Sequence, residues 1–243
     1  MPLSVITKDD FKPRTADDAA RHFARKAVLT SDQFDVLSNE ARGHAFRISG
    51  VHKVNMVQRA RSIIHKAILE GTPYADVQRL LLSLYDTEGV PRSSLARLRT
   101  MFGQNSHQAY NDGRREALDE PDMMEGFPFR QYLTIGNGTP GYRGVRPTHA
   151  ALHNLVFAAD DPFWDSHTPP WEFGCRCFFR ALTARQAKGM GVKVRSESYV
   201  RKQLRVPGES RRGVAANPQF VRGGVDLRKI DEELRDVMRE YQA

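Results

Sequence analysis

The chain has 243 residues, 40% hydrophobic and 27% charged, enough for one large domain or two modest ones around a buried core. No apolar run approaches the ~20 residues that span a bilayer, and Lys8, Asp9 and Asp10 come too early for a secretory leader. The net charge of +8 is concentrated. From Arg176 to Val225 twelve Lys or Arg stand against two acids, so the rest of the chain sums to about −2.

Residues 1–120 read as helical. Asp17 to Lys26 begins a polar, Ala-rich helix, and Ser31 is a candidate N-cap for a second one through Phe34, Val36, Leu37, Ala41 and Phe46, ending near Gly50. Val57, Ala60, Ile64, Ala67 and Ile68 share one helical face, and Gly71 stops that helix. Thr72-Pro73 restarts the chain as N-cap and first-turn proline. Val77, Leu80, Leu81 and Leu84 form the next stripe, closed by Gly89-Val90-Pro91. Ser93 or Ser94 caps a further helix through Leu95, Leu98, Phe102, Ala109 and Tyr110.

After Pro121 the texture changes. Gly126-Phe127-Pro128 breaks the helix, Gln131 to Ile135 is a short strand, and Gly136 to Gly141 is a loop. Arg146 to Leu152 makes one short helix, Leu155 to Phe157 a strand, Asp160 to Gly174 an ordered irregular excursion, and Cys175 to Leu182 another strand. Ser196 to Leu204 is a short helix, and Val206 to Gly224 an extended connector. Asp226 caps a final amphipathic helix carrying Leu227, Ile230, Leu234, Val237 or Met238, and Tyr241. The fold expected is α+β: a helical region over 1–120, a small mixed module over 121–182, and a basic extension over 183–243 that ends in a helix.

The middle of the chain carries a family resemblance. Arg146-Pro147-Thr148-His149-Ala150-Ala151-Leu152, Asp160-Asp161-Pro162-Phe163-Trp164-Asp165 and Pro169-Pro170-Trp171-Glu172-Phe173-Gly174-Cys175-Arg176-Cys177 resemble, in order and spacing, the signature of the phage Mu F-like minor head proteins. Phe46 to Val51, Ala67 to Thr72 and Asn105 to Tyr110 are similar to the helical lead-in of that family. His153-Asn154 departs from it, since a glycine often follows the signature leucine, and many members are longer, some with a toxin or nuclease domain. The resemblance implies a non-enzymatic minor head protein of a tailed phage or prophage, acting in head morphogenesis. It would contact the portal or the major capsid protein, in the host cytoplasm during assembly and then in the virion head.

The residues themselves offer several chemistries. Cys175 and Cys177, one residue apart, cannot bridge without a strained ring. With His149 and His167 they match the ligand types of a structural zinc site. The alternative is that all four pack and hydrogen-bond in a small core. Asp160, Asp161 and Asp165 could hold Mg²⁺ in a nuclease or toxin-like enzyme, but they equally suit a capped turn, with Arg146 as a partner for one of them. Trp164, Trp171, Phe163 and Phe173 suit anchoring of a loop better than stacking on bases. Arg185, Lys188, Lys193, Arg195, Arg201, Lys202, Arg205, Arg211 and Arg212 are the candidate surface for DNA phosphates, without sequence readout, or for an acidic protein partner. A DNA-binding module of cellular origin is the remaining competitor.

Overall fold

The computed structural model describes residues 15–135, 144–202, 204 and 217–240. The fold is α+β. In chain order it runs α1 (Thr15–Ala24), β1 (Ala27–Val28), α2 (Ser31–Asp35), α3 (Asn39–Gly43), β2 (Ala45–Phe46), α4 (Val54–Glu70), α5 (Tyr74–Glu88), α6 (Leu95–Leu118) and α7 (Pro121–Gly126). It continues with β3 (Phe129–Leu133), α8 (Pro147–Ala150), β4 (Val156–Ala158), α9 (Phe163–His167), β5 (Phe178–Leu182), α10 (Ala184–Gly189), β6 (Val194–Arg195) and α11 (Glu197–Lys202). A 3-10 turn (Pro218–Phe220) and α12 (Leu227–Glu240) follow. Among the described residues no helix is long and apolar enough to cross a membrane.

The helical layer follows its apolar spacing. Val57, Ala60, Ile64, Ala67 and Ile68 of α4 are buried against Phe23 of α1, Leu81 of α5 and Leu98 of α6. Gly71 and Gly89 end α4 and α5 in the left-handed conformation, at φ +68° and +62°, which a side chain would resist. Pro73, rather than Thr72, is the N-cap of α5, and Leu80 faces outward. Ser94 caps α6 by accepting from the Arg97 N–H. Where α1 crosses α6, a Cβ on Gly113 would stand 2.8 Å from the Asp18 carbonyl carbon and 2.9 Å from the Ala19 nitrogen.

The single helix expected over 31–50 is instead two short helices and a strand. Thr30, not Ser31, starts α2 through a capping box with Gln33, and Ser38 caps α3 by accepting from the Ala41 N–H. That second cap interrupts the first run. β2 then pairs in parallel with β1, Ala27 opposite Ala45, while Val36 is left exposed. The apolar face of α12 closes this corner, with Ile230, Leu234 and Val237 against Leu29, Phe34, Leu37 and Ala41. Asp226 caps α12 as expected, accepting from the Arg228 and Lys229 N–H groups.

The module is built on a sheet in the order β5-β3-β4-β6. β3 pairs antiparallel with both neighbours, Arg130 opposite Phe157 and Gln131 opposite Arg180, and β6 adds a parallel edge. β3 begins two residues before the expected strand, and β5 begins only after Cys177. Tyr132, Phe157, Phe163, Trp164, Trp171 and Phe179 fill the core beneath, joined by Val200 of α11 and Phe220. Phe220 and Arg222 lie in the stretch expected to be a connector, and both are anchored: Arg222 bonds Asp112 of α6 and the Pro170 carbonyl. The expected loop over 136–141, connector positions 206–216 and Tyr241 lie outside the described residues. α7, α10 and β6 were not anticipated. All three are too short to show a period.

Candidate functional site

Three elements converge on one buried point. Pro147 opens the short α8, whose first turn carries His149 inward. β3 contributes Tyr132 from its buried face. Cys175 and Cys177 come from the turn after Gly174, which sits at φ +70°. Both cysteines precede β5, so a turn and not a strand sets the positions of their thiols.

The geometry is tight. His149 Nδ1 lies 3.4 Å from Cys177 Sγ and 3.5 Å from Cys175 Sγ, and Tyr132 Oη lies 3.4 Å from the same nitrogen. His149, Cys175 and Cys177 are 2%, 5% and 4% exposed. Trp171 stacks on the imidazole, centroids 3.9 Å apart and planes at 11°, and its indole N–H donates to Tyr132 Oη at 2.7 Å. On the other side of the ring, Glu172 Oε2 stands 3.2 Å from His149 Nε2 and accepts from Arg146 at 2.9 Å. Arg146 also donates to the Phe173 carbonyl. The expectation that Arg146 pairs with an aspartate of the 160–165 segment is therefore replaced. Glu172 is nearer, and it serves the guanidinium and the imidazole together.

The long α6 backs the cysteine turn. His107 Nε2 is 2.6 Å from the Cys177 carbonyl, and Gln104 Oε1 accepts from the Gly174 N–H at 2.8 Å. The hydrogen bond between the two thiols holds Cys175 down to about 4 against the opposing effect of burial, with His149 assisting. The same bond, with burial, pushes Cys177 up. Burial, and then the neighbouring sulfurs, raise Tyr132 well above the ordinary phenol range.

Of the four residues expected to share a metal, the structure brings together His149, Cys175 and Cys177, whose ligand atoms lie within 4.8 Å of one another. His167 stands apart from that group. It stacks on Phe163 at 4.8 Å, meets Trp171 at 5.1 Å, and has Nδ1 2.7 Å from Ser166 Oγ. Tyr132 and Glu172 were not singled out from the sequence. Tyr132 reaches the cluster only through the register of β3, which no local pattern encodes.

Two of the three candidate aspartates are engaged in structure, and Asp160 is exposed. Asp161 Oδ1 accepts from the backbone N–H groups of Phe163 and Glu197, and Asp165 Oδ1 accepts from Arg115 at 2.8 Å. Phe163, Trp164 and Trp171 are core residues, while Phe173 is 51% exposed and meets Phe220 edge-on. The basic candidates bracket the edge strand β6. Arg185 and Lys188 are exposed on α10, Lys193 is exposed just before β6, and Arg195 covers the Tyr199 ring at 4.2 Å. Arg201 and Lys202 are exposed at the end of α11, Arg201 within 3.8 Å of Glu197. Arg205, Arg211 and Arg212 lie outside the described residues.

The family model described as Phage Mu protein F like protein matches residues 58–180, about half of the chain. The chain is 29% identical over 195 residues to the putative capsid assembly protein F of Escherichia phage Mu, covering 73% of this chain and 42% of that protein. It is 26% identical over 168 residues to the Mu-like prophage FluMu F protein of Haemophilus influenzae, covering 64% and 39%. The chain thus spans about two fifths of the length of these curated relatives. No solved structure matches it.

Proposed function

This chain belongs to the phage Mu F-like family, and on that premise we propose that it acts in phage head morphogenesis by surface complementarity rather than by catalysis. The observation that carries this reading is where the signature points. Arg146, His149 and Glu172 engage one another, Asp161 accepts from the backbone and Asp165 pairs with Arg115 of α6, so the block works as the frame of a rigid module. A protein named for capsid assembly is among its relatives, and a frame of this kind suits presentation of surfaces to other head components.

The partners proposed are the portal or the major capsid protein, with packaged DNA as a second contact. Arg185 and Lys188 on α10, Lys193 before β6, and Arg201 and Lys202 on α11 offer exposed cations, where phosphates could be neutralised without any base being read. Localisation would follow the partners, in the virion head.

Co-expression with portal and major capsid protein tests the reading, since the chain should sediment with the assembled particles. Reversing Arg185, Lys188, Arg201 and Lys202 to Glu should weaken duplex DNA binding and flatten its salt dependence by roughly 0.9 in log–log slope per lost phosphate contact. Mg²⁺-dependent cleavage of DNA or RNA that disappeared in Asp160→Ala/Asp161→Ala would hand the function to an enzyme instead.

A further inference from the structure

We infer that His149 Nδ1, Cys175 Sγ, Cys177 Sγ and Tyr132 Oη form a closed, four-coordinate zinc site that clasps the module together. The distances carry the inference. Tetrahedral zinc with Zn–S near ~2.3 Å and Zn–N near ~2.0–2.1 Å sets its nitrogen and sulfur ligands about 3.5 Å apart, and its nitrogen and oxygen ligands about 3.3 Å apart. The chain holds Nδ1 at 3.4 and 3.5 Å from the two sulfurs and at 3.4 Å from the phenol oxygen. These are the edges of a coordination tetrahedron around one corner atom.

The chemistry of the donors agrees. Two thiolates and an imidazole favour zinc over the hard cations, which prefer oxygen. Each non-sulfur ligand has its own outer partner. Glu172, itself held by Arg146, stands where it would accept a hydrogen bond from His149 Nε2–H, the tautomer that leaves the Nδ1 lone pair directed at the sulfurs. The Trp171 indole N–H donates to Tyr132 Oη, supporting negative charge on the oxygen when the metal takes its proton. Burial by the Trp171 ring closes the site to solvent, as in a structural centre that keeps no open position for substrate.

The site also explains how three segments without much regular structure are held. It would tie the α8 turn, β3 and the cysteine turn to one atom, and His107 of α6 holds the Cys177 carbonyl from outside. Metal binding would then stabilise the module more than the helical layer.

The test uses the full chain, produced with zinc and purified without chelators. One zinc per chain is expected by elemental analysis. Cobalt exchanged into the site should give the intense charge-transfer absorption of a cobalt thiolate together with tetrahedral ligand-field bands. Cys175→Ser, Cys177→Ser and His149→Ala should each lose more than tenfold in affinity, while His167→Gln should keep wild-type affinity. Glu172→Gln should weaken binding by about 10–100-fold, the usual range for an outer-shell partner. Tyr132→Phe should retain metal but shift the cobalt bands; unchanged bands would remove Tyr132 from the site. Should the cysteine variants fail to fold, a mercurial titration of folded wild type reports the same linkage, since zinc must leave as the thiols are capped. Wild-type chain that holds no stoichiometric zinc, and shows no cobalt–thiolate absorption after refolding with cobalt, overturns the inference.

Discussion

In the helical layer, Val57, Ala60, Ile64, Ala67 and Ile68 are brought to one face by the turn of a single helix, and the core they enter repeats the same rule in α1, α5 and α6. In the module, Tyr132, His149, Trp171 and Cys177 reach one point from three separate stretches of chain, none of them longer than a few residues of regular structure. Burial is similar in the two regions, yet its origin differs. One is a sum of local choices. The other depends on sheet register, a proline-led turn and paired hydrogen bonds that must all be present together. Loss of one contact should therefore stay local in the helical layer and spread in the module.

The largest expected effect tests that contrast directly. Trp171→Ala removes the ring stacked on His149 and the donor to Tyr132, and should cost about 3–5 kcal/mol in guanidinium unfolding. Ile64→Ala in α4 should cost about 2–5 kcal/mol. Thiol labelling separates them: the Trp171 variant should expose Cys175 and Cys177 under native conditions, whereas the Ile64 variant should protect them until global unfolding. Equal protection in both would erase the distinction.

A buried lysine joins the comparison from the helical side. Lys26 donates to Gln108 Oε1 at 2.9 Å and Asn105 Oδ1 at 3.2 Å, and burial lowers it to about 8, with Asp112 opposing and Arg222 adding to the shift. The unfolded chain keeps its proton up to the ordinary value of 10.5. Between these limits the unfolded state binds more protons, so stability should rise with pH from about 8 towards 10.5. The full swing is on the order of 3 kcal/mol. Urea midpoints measured between pH 8 and 9.5 should climb in wild type relative to Lys26→Met; parallel curves would show that the ammonium is better solvated than its burial implies.

How much of this was legible in the chain follows the same division. The apolar stripes of α4, α5 and α6 and the stops at Gly71 and Gly89 are local, and reading them needs only a window of a dozen residues. The interval 31–50 misled because its apolar spacing suits one helix while Ser38, a second cap, breaks it. In the module, the His149 and Cys175–Cys177 block stood out through its residue types and its family resemblance. The proximity of Tyr132 and Glu172 depends on long-range pairing that composition does not carry. His167 illustrates the converse, a residue of suitable chemistry that the fold stacks on Phe163 instead.

Gly113 sharpens the helical side at smaller cost. Its missing side chain lets α6 touch the α1 backbone at Asp18 and Ala19, which cannot yield as a flexible side chain would. Gly113→Ala should destabilise by about 1–3 kcal/mol through overpacking, despite alanine's better helix propensity. Thermal unfolding at a fixed pH reads this, and a variant as stable as wild type would mean that the two helices part without loss.

The smallest effect is the most even-handed probe, because the same motif occurs in both regions. Thr30 with Gln33 opens α2 in the helical part, and Thr183 with Gln186 opens α10 beside the sheet, each through a reciprocal capping box. Their hydrogen bonds are alike, with the threonine oxygen 3.4 and 3.2 Å from the third-position N–H and the glutamine oxygen 2.9 and 2.8 Å from the cap N–H. A cap is a local interaction wherever it sits, so Thr30→Ala and Thr183→Ala should each cost about 1 kcal/mol. Differential scanning calorimetry of the two variants against wild type makes the comparison. If Thr183→Ala cost several times more than Thr30→Ala, α10 would be carrying part of the sheet edge, and cooperativity in the module would extend through β6 to the basic surface beside it.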